Sequence, residues 1–197
     1  FEDVSGQDLS WFWKPWFFEF GSVDVQIKSI ENGKLNLQNL GNRPVPIVIN
    51  ANYNNGETVE ITKSASKWDE NRMYSMELPN TDELASIMVS RGIPDIDPMN
   101  NIYPPLEDQY AQFDITDDIL GTYNVAAFNI DMTVEERKGV LFFSATSGGL
   151  AFYLKPISET EFQSLDGNVN FIFAKEDGQY KSIEFTYFGY EITAIKK

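Results

Sequence analysis

The side chains that most often do chemistry are scarce in this chain. Its 197 residues include no histidine and no cysteine. A zinc hydrolase needs imidazole ligands at helical spacing, usually with a glutamate as base. A Ser-His-Asp triad needs its imidazole too. Neither is available from these residues, and without cysteine there is no thiol nucleophile, thiolate metal site or disulfide. Oxygen chemistry remains. Two carboxyl groups are enough for a glycosidase, but among 30 Asp and Glu side chains some close pair arises by chance. Asp95, Asp97, Asn100 and Asn101 offer oxygen ligands of the kind calcium takes. Their spacing is not that of an EF-hand, and Asx residues beside proline more often cap turns, so they read as turn structure. Ser147-Gly148-Gly149 lacks the Lys and helix that follow in a phosphate loop and reads as a hairpin. Phe142, Phe143, Phe152, Tyr153, Phe171, Phe173, Phe185, Tyr187, Phe188 and Tyr190 have the chemistry to line an apolar cavity. They would equally fill the interior of a small barrel, which is the simpler reading.

The elements that hold these residues begin with Ser5–Phe20, SGQDLSWFWKPWFFEF. Seven of the ten residues from Trp11 to Phe20 are aromatic. On a helix, Leu9, Phe12, Trp13, Trp16, Phe17 and Phe20 share one face, while Trp11 and Phe18 fall on the opposite one. A helix that is apolar on both sides is buried on both sides. Trp11 and Phe18 are therefore the candidate domain-interface residues, with Leu9, Phe12, Trp16 and Phe20 expected against the domain that follows. Ser5 is the expected N-cap, with Asp8 in the first turn. Pro15 should end or kink the helix after about Trp13.

From Ser22 the apolar period becomes two: Val23, Val25, Ile27, then Leu35, Leu37, then Val45, Ile47, Ile49, Ala51, then Val59, Ile61. Asn32-Gly33 and Asn55-Gly56 mark hairpins. With Met73–Leu78 and Leu84–Val89 the pattern predicts a small immunoglobulin-like β-sandwich. Ile93–Leu106 is rich in proline and reads as an ordered turn and linker. Beyond it, short helical turns at Glu107–Gln112 and Thr116–Leu120 should precede strands at Tyr123–Val134, Val140–Thr146, Leu150–Pro156, Glu161–Ser164, Val169–Ala174, Lys181–Tyr187 and Glu191–Ile195. Tight turns join most of them, so this half predicts an antiparallel lipocalin-like β-barrel or curved sheet, with Tyr123, Phe142, Phe171 and Phe185 inside. The fold class is thus mainly β, divided as 1–20 (a terminal helix belonging with an upstream domain), 21–105 (sandwich) and 106–197 (barrel-like domain).

The formal net charge is −15 and it is evenly spread: 8 basic and 15 acidic side chains in residues 1–105, 7 and 15 in residues 106–197. Such a surface favours solubility and disfavours nucleic acid, which needs clustered Lys and Arg. No apolar run approaches the roughly 18–20 residues that span a bilayer.

Ser5-Gly6-Gln7-Asp8-Leu9-Ser10-Trp11-Phe12-Trp13-Lys14-Pro15-Trp16-Phe17 resembles a motif in the last catalytic-domain helix of zinc aminopeptidase homologues of the aminopeptidase N family, departing from it at Trp13 and Pro15. The run Asn39–Ile47, then Tyr53-Asn54-Asn55-Gly56, and Pro94-Asp95 to Asn100-Asn101, resembles the sandwich that follows in those proteins. Residues 107–197, through Tyr110, Gly121, Tyr123 and Val125 and the Asp166–Phe173 and Asp177-Gly178 hairpins, are similar to a small β-domain found C-terminal to serine β-lactamase-like hydrolases. The resemblance implies a catalytically silent C-terminal region of a secreted or cell-envelope bacterial zinc metallopeptidase. Its zinc and zinc ligands would lie in an upstream catalytic domain, the expected partner. This chain itself would hold no catalytic, metal or cofactor residue. Weak self-association through the N-terminal helix is a further expectation. The competing expectation is a small-ligand or glycan-binding β-barrel, and a carboxylate-only hydrolase ranks third.

Overall fold

The computed structural model describes residues 1–89 and 92–197. The protein is mainly β, with short helices at its start, two small sheets and a closed eight-stranded antiparallel barrel. It divides into two compact units, Phe1–Pro105 and Leu106–Lys197.

In the first unit, strands β1 (Val25–Glu31), β2 (Lys34–Asn39) and β5 (Met73–Glu77) form one sheet. Strands β3 (Ile47–Tyr53), β4 (Thr58–Lys63), β6 (Leu84–Val89) and the two-residue β7 (Ile102–Tyr103) form the other, in the order β4-β3-β6-β7. Alternation sends Val25, Leu35 and Leu37 from the first sheet and Ile47, Ile49, Ala51, Ile87 and Val89 from the second into one core. Each large aliphatic side chain so buried contributes roughly 1.5–3 kcal/mol. The β1–β2 hairpin turns on Asn32 and Gly33, at φ 51° and 75°; this left-handed pair matches the right-handed strand twist.

The N-terminal residues break after Trp13 as Pro15 led one to expect, but the helix does not start at Ser5–Gly6. Glu2–Ser5 forms one helical turn, which Gly6 stops in the left-handed conformation. Ser5 is therefore inside a helix and not the cap of the next. A second turn spans Ser10–Trp13, and a wider π-helical turn, Lys14–Phe18, carries Pro15. Leu9 is the N-cap of the second turn, and Asp8 braces the approach to it: its Oδ1 accepts from the Ser10 N–H at 2.8 Å and from the Ser10 hydroxyl. The Ser10 hydroxyl is the main reason the Asp8 carboxyl lies below the usual range.

The second unit is a meander of eight strands: β8 (Gly121–Val125), β9 (Ile130–Arg137), β10 (Val140–Ala145), β11 (Ala151–Pro156), β12 (Glu161–Ser164), β13 (Asn170–Glu176), β14 (Gln179–Tyr187) and β15 (Tyr190–Lys196). Each pairs with its neighbour, and β15 returns to β8 through Ile195↔Asn124 and Lys196↔Tyr123. The expected strand Tyr123–Val134 is in fact two strands and a turn at 126–129. Asn129, at φ 51°, supplies the left-handed residue there without a glycine to announce it. Phe142 is also corrected: β10 points Leu141, Phe143 and Ala145 inward, so Phe142 faces out. It packs on Tyr153 at 4.9 Å and lies under the Arg137 guanidinium at 3.6 Å. Tyr123, Phe171 and Phe185 are inside as expected.

Hairpin turns alternate between the barrel's ends, and the two ends differ. One is closed by the helical turns Leu106–Tyr110 and Asp117–Ile119. Tyr110 Oη donates to the Leu154 carbonyl at 2.7 Å and accepts from the Leu141 N–H at 3.1 Å. Tyr123 Oη donates to the Ile119 carbonyl at 2.7 Å, and Asp118 Oδ2 accepts from the Tyr180 N–H at 2.8 Å. The other end carries exposed Phe128, Phe188 and Tyr190.

Two outcomes follow from the closed end. Tyr110→Phe would orphan a buried carbonyl and N–H and should destabilise the protein by about 1–3 kcal/mol in denaturant melts. The Asp118 carboxyl, held by Thr116, by the Tyr180 N–H and by nearby Lys196, lies below its ordinary value of 3.8. A depressed carboxylate stabilises the fold at pH above the unfolded value and loses that contribution as pH falls through the folded one. Thermal melts of Asp118→Asn should therefore lie below wild type at pH 7 and converge with it below about pH 4.

Candidate functional site

The aromatic segment is rooted at its middle. Pro15 is buried, and Trp16 packs on the sandwich core. Trp16 Nε1 donates to the Pro44 carbonyl at 2.9 Å, and the Arg43 guanidinium lies over the indole at 5.3 Å. Beyond the segment the chain runs as a strap against residues 40–43. Leu40 N–H donates to the Asp24 carbonyl at 2.6 Å, Arg43 N–H to the Ser22 carbonyl at 3.2 Å, and Asn42 Nδ2 to the Phe20 carbonyl at 3.0 Å. Gly41 permits this approach, since a Cβ there would meet the Ser22 carbonyl oxygen at 2.1 Å. Arg72 Nη1 holds the Gly41 carbonyl at 2.8 Å from the other side.

From that root Phe17, Phe18 and Phe20 reach into solvent, while Phe12 and Trp13 are half-buried. Phe17 is 64% exposed, Phe18 82% and Phe20 fully. Phe20 therefore does not pack on the sandwich as the helical face required: the segment ends at Phe18, and Glu19 is extended. Trp13 stacks between Phe1 at 5.6 Å and Phe17 at 5.2 Å. With Phe18 these rings surround a shallow hollow of about 620 Å³. An ion pair from Lys14 to Glu19, 3.5 Å, spans the π turn; exposed as it is, it adds little.

The two candidate interface residues are both exposed but do not share a surface. Phe18 belongs to the hollow with Phe1, whereas Trp11, 40% exposed, lines a separate cleft of about 140 Å³ with Pro44 and Trp68. The change from the α turn that carries Trp11 to the π turn that carries Phe18 accounts for the separation. Sequence reasoning missed Trp68, Asn39 and Arg72 as neighbours of Trp11. They come from a helical turn's edge, a strand end and a tight turn, and no periodicity links them.

The other candidates resolve as structure. Asp95 spends both carboxylate oxygens on backbone, accepting from the Val25 N–H at 2.8 Å and the Asp97 N–H at 2.9 Å. Asn100 Nδ2 donates to Asp24 Oδ1 at 2.9 Å. Together they pin the 93–101 turn to the start of β1. Among the described residues no group of three or more His, Cys, Asp or Glu is placed to hold a metal ion. Ser147-Gly148-Gly149 is the β10–β11 hairpin. In the barrel, Phe143 meets Phe171 at 4.9 Å and Phe185 at 5.3 Å, and Phe173 meets Phe162 at 5.2 Å and Tyr123 at 6.1 Å. Rings in mutual contact fill the axis at that height. Glu184 and Glu191 share a hollow on the barrel's outer face. Glu184 pairs with Thr193 and Glu191 with Thr186, so the two acids are diagonal neighbours on the solvated side of the strands; alternation alone accounts for them.

No protein-family model, curated protein or solved structure matches the chain. The fold is that of a two-unit β protein, a sandwich bearing a rooted aromatic segment and a closed barrel with an aromatic core.

Gly41→Ala should test the root. The atom it meets is backbone and cannot rotate away, so thermal or denaturant melts should show a loss of about 1–3 kcal/mol. The same change at Gly139, where a Cβ would meet nothing within 4 Å, would strain only the turn.

Proposed function

We propose that this chain is a non-catalytic accessory region that docks through its aromatic segment onto a neighbouring domain of the same polypeptide. That domain is the catalytic part of a zinc-dependent, aminopeptidase-like protein, secreted or held at a bacterial cell envelope. The observation that carries the reading is the contrast within Lys14–Phe20. Pro15 and Trp16 are fixed to the sandwich, while Phe17 and Phe18 line one exposed hollow and Phe20 is exposed beyond them. Large exposed apolar patches mark interaction surfaces, and aromatic residues are the usual anchors of such interfaces. A root that keeps the segment in place reduces the ordering cost of docking. The identity of the partner rests on the resemblance of Ser5–Phe17 and the sandwich to the aminopeptidase N family. Zinc, and the histidines that bind it, would belong to that partner. Packing there, the segment would shield the edge of the catalytic domain or limit access to it.

Two measurements test this. The 197-residue chain, with its patch uncovered, should self-associate weakly in sedimentation experiments. Phe17→Ser with Phe18→Ser should abolish the association and leave the melting temperature within a few degrees. A wild-type chain that stays monomeric to millimolar concentration counts against a docking patch. The coding sequence ahead of Phe1 decides the partner: an H-E-x-x-H motif there supports a zinc peptidase, and its absence removes that parentage.

A further inference from the structure

The hollow beside the root of the aromatic segment is lined by two kinds of residue. Phe1, Trp13, Phe17 and Phe18 give it ring surface, and Glu2 and Asp3 give it carboxylates. Both acids come from the turn Glu2–Ser5, which Gly6 ends. Glu2 Oε1 accepts from the Leu9 N–H at 2.9 Å and so ties that turn to the start of the aromatic segment. The volume of about 620 Å³ lies within the roughly 300–1,000 Å³ of ligand sites.

Nothing within the segment answers these acids. Among the described residues the Asp3 side chain has no hydrogen-bond or ion-pair partner. No lysine or arginine lines the hollow, and Lys14, the cation of the segment itself, pairs with Glu19. Elsewhere the chain completes such an arrangement. The Arg43 guanidinium lies over Trp16 at 5.3 Å. That of Arg137 lies over Phe142 at 3.6 Å, while its Nε donates to Glu135 Oε1 at 2.6 Å. There a ring face and a carboxylate hold one guanidinium between them. The hollow has the rings and the carboxylates without the guanidinium.

We propose that this hollow receives one arginine side chain of the neighbouring domain, its guanidinium stacked on the rings and paired with Asp3. The inference rests on the docking reading and names the chemistry that the patch recognises. Ring faces carry negative charge, so the rings and the acids pull on a cation in the same direction. Arginine suits them better than lysine, because its planar, weakly hydrated head stacks on aromatic faces and its fork matches a carboxylate. A purely apolar side chain seated there would bury Asp3 without a partner, which is costly, and an acidic one would be repelled.

The test uses the 197-residue chain, acetylated at its N-terminus so that Phe1 brings no charge of its own, and diluted until it is monomeric. The probe is N-acetyl-arginine amide, with N-acetyl-citrulline amide as its neutral counterpart. The indole N–H signal of Trp13 in ¹H–¹⁵N spectra reports on the hollow. A saturable shift with Kd on the order of 1 mM is expected for the arginine probe, and binding about fivefold weaker for citrulline. The Trp68 signal should stay unmoved. Asp3→Asn, on an exposed turn, should weaken arginine binding about threefold and leave the melting temperature unchanged. Three results overturn the proposal. Trp13 ignores arginine although the concentrated chain still self-associates through Phe17 and Phe18, which leaves the docking patch standing with a partner of other chemistry. Citrulline binds as well as arginine, so that charge plays no part. Asp3→Asn binds arginine as tightly as wild type, which removes the ion pair. Loss of both the shift and the self-association removes the docking reading together with this one.

Discussion

Both units depend on one constraint: side chains on an extended strand alternate, so a strand paired on both edges can bury only every second residue in a given core. In the sandwich this puts Leu35 and Leu37, Ile47 and Ile49, and Ile87 and Val89 into the same dry layer. In the barrel it puts Leu141 and Phe143, Phe171 and Phe173, and Ile183 and Phe185 around the axis. Everything else is arranged around these layers. The residues between them carry the acidic charge, and the ends of the strands decide where loops can bring side chains together.

The chain uses its aromatic residues in two ways. In the barrel they are structural: inward rings touch one another, and buried hydroxyls find carbonyls, as Tyr180 Oη does at Glu159 with 2.6 Å. Burial raises the Tyr180 phenol above its ordinary value, so it stays neutral and keeps donating. In the N-terminal segment the rings exceed what the sandwich can cover. Trp16 is used as an anchor because its indole N–H has a carbonyl to reach, while Phe17, Phe18 and Phe20 have no polar handle and no neighbouring surface.

Much of the β architecture was legible because its signals are local. Asn32-Gly33, Asn55-Gly56, Lys138-Gly139 and Asp177-Gly178 each sit between alternating runs, and the strands start and stop within a few residues of those signals. The failures have separate causes. Asn129 takes the left-handed turn position without a glycine, so two strands read as one. Between Trp11 and Phe20 the chain passes from an α turn to a π turn carrying Pro15 and then to extended Glu19, and that shifts the later faces: Phe20 leaves the sandwich and Trp11 parts from Phe18. Phe142 was assigned by its hydrophobicity, when its neighbours Leu141 and Phe143 already occupied the inward positions. The cleft beside Trp11 was not legible at all, because Asn39, Trp68 and Arg72 meet only through the pairing of β2 with β5 and the close approach at Gly41.

Closing the barrel joins β8 to β15, the first and last strands of the second unit. All the other pairings in that barrel join consecutive strands across short connections, contacts that form quickly because little chain entropy is lost. The closing pair must instead bring together residues separated by nearly the whole unit. Until it forms, two unpaired edges and a set of phenyl rings face water, which is the condition under which strands recruit other chains. The β8–β15 pair thus carries the largest loop-closure cost in the barrel, and its two strands are the edges that this closure removes.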